Sequence, residues 1–177
     1  MNSQSSYAPS SASHQPSSTI DQPPSTTDRE STAKSTGHGP SQASTATIRG
    51  DPMRRAVHTD RAPPPLPFFS QAIVCQGMVY CSGSIGMSPI TKQMVDGGVG
   101  DRTAQALNNL SAVLEAAGSS LRNVVKCNVF LSDMTNFAAM NRVYDTFFEP
   151  PKPCRTCVAV KELPMKTDVE IECIAHL

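Results

Sequence analysis

Apolar and polar positions change period several times between Ala72 and Ala175, and each change predicts an element. Ala72 to Ile85 is dense in Val, Ile, Tyr and Cys and breaks at Gln76-Gly77, which predicts two strands joined by a tight turn, the second ending at Ser82-Gly83. After the glycine run Gly97-Gly98-Val99-Gly100, Ala104, Leu107, Leu110 or Ser111, Leu114 and Ala117 recur at helical spacing up to Gly118, with Asp101 as the expected cap. Val125, Cys127, Val129 and Leu131 then alternate with Lys126, Asn128 and Phe130, the period of a strand. A second helix, capped near Thr135, carries Phe137, Met140, Tyr144 and Phe147 or Phe148 on one face. Pro150-Pro151-Lys152-Pro153 stops it, because proline lacks the amide donor and clashes with the preceding turn. Two last strands, Arg155 to Val160 and Asp168 to Ala175, are joined through Lys161-Glu162-Leu163-Pro164.

The predicted order is β-β-α-β-α-β-β, an α+β fold with a mixed sheet and two helices on one face. Two helices cannot cover both faces of such a sheet, yet Phe130, Val158 and Ile174 fall on the far side. Identical apolar faces covering one another in a closed ring resolve this, so a homo-oligomer is expected.

Composition divides the chain. Half of the first 50 residues are Ser, Thr or Pro, and no Leu, Val, Phe or Cys precedes Val57. Residues 1–60 are therefore expected to be a disordered tail with little to bury, and residues 61–177 one domain. The tail's first Lys or Arg is Arg29, preceded by Asp21 and Asp28, and it holds no apolar run; neither an organellar transit peptide nor a secretory signal is expected, and the location read from this is cytoplasmic. The balance of 15 Lys+Arg against 15 Asp+Glu lacks the basic excess of a nucleic-acid binder, and no apolar stretch approaches the ~20 residues of a membrane span.

All six cysteines lie in the predicted domain, mostly within apolar runs, and are read as reduced thiols. The Cys154-Arg-Thr-Cys157 motif sits at a strand start, where residues three apart point to opposite faces, so neither a redox pair nor a metal site is expected. Ser82-Gly83-Ser84 is not a nucleophile elbow, and the glycine run before Asp101 is neither a Walker loop nor a dinucleotide fingerprint. The chemistry-bearing residues left are Arg155, Cys157, Glu170 and Glu172. Arg155 beside a glutamate on a neighbouring strand reads in two ways: a plain ion pair, or a guanidinium fork for a substrate carboxylate with a glutamate that orients or deprotonates water. Cys157 has no evident general base and is read as a wall of the site.

Pro153-Cys-Arg-Thr-Cys-Val-Ala-Val-Lys-Glu-Leu-Pro164, with Val169-Glu-Ile-Glu-Cys-Ile-Ala175, resembles the C-terminal signature of the RidA (YjgF) family of reactive-intermediate deaminases. The likeness runs back through Met140-Asn-Arg-Val-Tyr-Asp-Thr-Phe-Phe148, Asn128 to Phe137, Leu114 to Gly118 and Ser70-Gln-Ala72. It implies a chorismate-mutase-like fold, a homotrimer with inward-facing sheets, and sites in the clefts between subunits. The implied activity is hydrolysis of 2-imino acids, among them 2-iminopropanoate and 2-iminobutanoate, to 2-keto acids and ammonia, with no metal or cofactor. By the same resemblance Arg155 binds the substrate carboxylate, Glu170 holds the attacking water, and Ser82, Gly83, Asn141 and Cys157 line the pocket. Phe69 departs from the family pattern: it stands where a tyrosine would reach into the pocket, keeping the ring and losing the hydroxyl. Three other readings remain open: a trimer that binds keto acids without turnover, an imine- or enamine-processing step in a specialised-metabolite pathway, and a ribonuclease, which neutral charge and the absence of a well-placed histidine disfavour.

Overall fold

The computed structural model describes residues 54–177; up to residue 53 the expected tail lies outside the described residues. A single mixed sheet is built from β1 (Arg55–Val57), β2 (Ala72–Cys75), β3 (Met78–Cys81), β4 (Ser84–Ile85), β5 (Val124–Leu131), β6 (Cys154–Ala159) and β7 (Val169–His176). The helices are α1 (Val99–Ala117) and α2 (Phe137–Tyr144), the latter extended by short 3-10 turns at Met134–Asn136 and Asp145–Phe147. Strand order across the sheet is β1-β2-β3-β7-β5-β6, with β4 also paired to β7. Among the described residues only the β5–β6 pair is parallel, and α2 is its crossover, as a parallel pair requires.

The predicted hairpin is present: β2 and β3 pair in register Ala72↔Cys81 to Cys75↔Met78. Gln76 and Gly77 both adopt positive φ, 50° and 75°, which matches the turn to the right-handed twist of the strands. The core lies between the sheet and the helices. Leu107, Leu110 and Leu114 of α1 meet Val79, Val129, Leu131, Val169 and Ile171 there, all essentially without solvent contact. Each buried leucine contributes about 1.5–3 kcal/mol.

Four sequence expectations are corrected. First, the domain begins upstream of the 60/61 boundary, with β1: Val57 is buried, β1 pairs with β2, and Arg55 Nη2 donates to the Ala117 carbonyl at 3.2 Å. Second, Asp101 is not the cap of α1. Gly98 is, and Asp101 stands in the first turn, where its carboxylate accepts the Gly98 N–H at 3.0 Å. Third, Thr135 does not cap α2; Asp133 accepts the Thr135 N–H at 2.7 Å and starts the 3-10 turn that leads into the helix. Fourth, Val125 faces outward, 43% exposed against 7% for Val124, because a register shift between Val124 and Lys126 adds a residue before the alternation of Cys127, Val129 and Leu131 begins.

The face away from the helices is open. Phe130, Val158 and Ile174 lie on it as expected, joined by Tyr80, Asn128 and Glu172. Asn128 Nδ2 donates to Glu172 Oε1 at 2.7 Å across the β5–β7 pair.

Candidate active site

Arg155 and Glu170 are not neighbours in this protomer. β5 lies between β6 and β7, so the strands carrying them do not touch. The register also puts them on opposite faces: Arg155 is level with buried Cys127 and points toward α2, whereas Glu170 is level with Phe130 on the open face. The ion pair between adjacent strands is therefore corrected, and the residues expected at the site divide into two groups.

The first group belongs to the βαβ unit from β5 to β6. Cys157, two residues beyond Arg155, shares its face and is half-buried against the core. Burial pushes the Cys157 thiol up despite the favourable charge of Arg155, so it stays a neutral thiol at neutral pH, as suits a wall rather than a nucleophile. Arg155 Nη1 donates to Asn141 Oδ1 at 2.6 Å. Its Cζ stands 4.7 Å from the Tyr144 ring centroid and 5.7 Å from that of Phe137. Phe137 and Tyr144 are among the residues that the sequence puts on one face of the second helix. Their spacing with Asn141, four residues and then three, already places all three side chains on one helix face. With Nη1 engaged by Asn141, the guanidinium keeps donors for an incoming carboxylate.

The second group gathers where β3, β4 and β7 meet. Gly83 joins β3 to β4, and a Cβ added there would lie 1.9 Å from Glu170 Oε1; only glycine admits the carboxylate so close to the backbone. Ser82 Oγ donates to the Ser70 carbonyl at 2.7 Å, tying the Phe69-Ser70 segment to the end of β3. Phe69 is 43% exposed and tilts against Phe68 at 5.6 Å between ring centroids, an apolar pair beside this group. Asn109, buried on α1, donates to the carbonyls of Ile85 and Met87 at 3.2 and 2.9 Å and so holds β4 in place. The described residues give the Glu170 carboxylate no hydrogen bond. Burial, and after it the like charge of Glu172, raises Glu170 above the usual carboxylate range, which suits a group that accepts a proton from water.

The family model described as Endoribonuclease L-PSP matches residues 59–177. The chain is 50% identical over 110 residues to "Protein mmf1, mitochondrial" of Schizosaccharomyces pombe, covering 60% of this chain and 67% of that protein. It is 41% identical over 123 residues to the 2-iminobutanoate/2-iminopropanoate deaminase of Rattus norvegicus, covering 70% and 90%. Among solved structures, E. coli TdcF with bound serine superposes with a TM-score of 0.65 at 34% identity, covering 70% of this chain and 98% of that one.

Proposed function

We propose, because the chain belongs to the Endoribonuclease L-PSP family that also holds the RidA and RutC proteins, that it is a deaminase hydrolysing 2-imino acids to 2-keto acids and ammonia. The observation that carries this reading is Arg155 held over aromatic rings with part of its fork uncommitted, paired in function with a carboxylate of raised proton affinity. Arg155 takes the substrate carboxylate through two parallel N–H···O bonds. Glu170 orients a water and accepts its proton as the oxygen adds to the imine carbon, then passes that proton to the nitrogen to give a neutral carbinolamine. As that adduct collapses, Glu170 takes the hydroxyl proton while the C=O bond forms and delivers it to the nitrogen while the C–N bond breaks; ammonia leaves and Glu170 ends as the carboxylate it began. The imine carbon is electrophilic from the start, so fixing the carboxylate and aiming the water is most of the catalytic task.

Since Arg155 and Glu170 occupy opposite faces of one protomer's sheet, a working site joins the Arg155 group of one copy to the Glu170 group of another. A homotrimer closed through the open sheet faces supplies that junction and covers Tyr80 and Val158. Keto-acid release from freshly generated 2-iminobutanoate tests the activity. Wild type is expected to accelerate it, with Arg155→Ala and Glu170→Gln each falling by about 10²–10³-fold, the scale of a lost two-bond carboxylate grip in the first and of a lost proton acceptor in the second. Co-assembling the two inactive variants is expected to restore roughly a quarter of the sites by random mixing in a closed ring. No restoration in verified mixed assemblies would overturn the shared site. An inactive wild-type assembly that still binds 2-oxobutanoate would leave a binding protein instead.

The family description names ribonuclease activity, but the histidines among the described residues, exposed His58 and terminal His176, lie outside both groups. RNA is accordingly not the proposed substrate. The cytoplasmic expectation stands beside a relative whose printed name is mitochondrial and another whose name is chloroplastic, so fractionation of the tagged full chain decides the compartment.

A further inference from the structure

We propose that Tyr144 is a positioning residue for Arg155, its ring fixing the plane and reach of the guanidinium from beneath; the assignment rests on the deaminase reading above. Cζ lies 4.7 Å from the Tyr144 centroid, and Phe137 flanks it at 5.7 Å, both within the ~6 Å reach of a cation–π contact. Asn141 fixes Nη1 at 2.6 Å, so α2 meets the guanidinium with rings and an amide on one helix face. An arginine on the edge strand β6 would otherwise lose rotamer freedom at each binding event; here that loss is met during folding. The platform itself is braced, since Phe148 packs against the Tyr144 ring at 4.7 Å between centroids.

The ring, not the hydroxyl, performs this role. Tyr144 is 5% exposed, and its buried Oη finds no nitrogen or oxygen partner among the described residues, only the thiol of Cys127 beside it. Burial first, then the hydrogen bond with Cys127, pushes the Tyr144 hydroxyl far up, so it stays a neutral phenol at any working pH. A phenylalanine would keep the face presented to Arg155 and give up only a weak contact with a thiol.

The test is steady-state kinetics on 2-iminobutanoate and equilibrium binding of 2-oxobutanoate, for wild type, Tyr144→Phe, Tyr144→Leu and Phe137→Leu, each checked for assembly mass and melting temperature. Tyr144→Phe is expected to keep kcat/KM within about twofold and to melt within a few degrees of wild type, since it loses one weak bond to the Cys127 thiol. Tyr144→Leu is expected to raise KM and weaken 2-oxobutanoate binding about tenfold, with kcat changed less than threefold, and Phe137→Leu to do the same at roughly threefold. A merely structural role moves melting temperature and active fraction and leaves KM alone. An unchanged KM in both leucine variants, or a Tyr144→Phe as impaired as Tyr144→Leu, would overturn the proposal while wild-type turnover still upheld the deaminase reading. A wild type with neither turnover nor 2-oxobutanoate binding overturns that reading and this assignment with it. Should Tyr144→Leu fail to assemble, Phe137→Leu decides alone.

Discussion

The two groups on either face of the sheet are held in different ways. Around Arg155 the constraints come from one short helix and the residues just after it: an amide on Nη1, rings under the guanidinium, and behind them the ring of Phe148. Around Glu170 the constraint is the absence of a side chain at Gly83, and the described residues give the carboxylate no hydrogen bond. A cation that must grip one anion gains from being fixed in advance. A carboxylate that must bind and release a proton gains from being buried and left unsatisfied, because both raise its proton affinity. The protomer is thus finished on one face and waiting on the other.

The strongest way to break this contrast is Gly83→Ala. Its methyl would occupy the place of Glu170 Oε1, so turnover is expected to fall by about 100-fold while 2-oxobutanoate affinity at Arg155 changes less than twofold; parallel kinetics and titration calorimetry read both. Asn109→Ala comes next. It leaves the Met87 carbonyl without its side-chain donor and the Ile85 carbonyl with the Met87 N–H alone, and is expected to cost about 1–3 kcal/mol in urea unfolding, loosening β4 and hence the glutamate side. Glu172→Gln removes the like charge that helps to raise Glu170. Less repulsion favours the ionised form, so the acid limb of the kcat/KM profile is expected to move to lower pH by less than about one unit; a move to higher pH would contradict the assignment of that limb to Glu170. The smallest effect is expected from Phe69→Tyr. A hydroxyl restored beside Ser70 should raise kcat/KM for 2-iminopropanoate about two- to fivefold, and an unchanged value would show that the ring alone matters there.

Much of this molecule was legible because its elements are long and strongly periodic. α1, β5 and β7 follow directly from the spacing of their apolar residues, and Gln76-Gly77 announces its turn. The three residues of β1 and the two of β4 are too short to show a period, and β1 offers one buried side chain, Val57, among charged neighbours. The bulge at the start of β5 was hidden because Val124 and Val125 are the same residue type, and only the register says which one turns inward. The candidate residues were readable one at a time, Arg155 and Glu170 from their motifs, yet their placement on opposite faces depends on β5 lying between β6 and β7. Strand order is a property of tertiary pairing, and no local pattern encodes it. The Tyr144 platform was visible as a helical spacing but indistinguishable from ordinary core until Arg155 was seen above it.

The crossover from β5 through α2 to β6 also bears on the order in which the molecule is made. Everything that orients Arg155 lies in one unbroken stretch, from Val124 to Ala159. Its loops close over short distances, so this half can form before β7 docks against it. Gly83 must wait for Glu170 to arrive on the last strand, and then, on the reading proposed above, for a second chain. On that reading the substrate grip comes early and the reactive water late, so an incomplete or dissociated protein would hold the carboxylate of its substrate without the means to deaminate it.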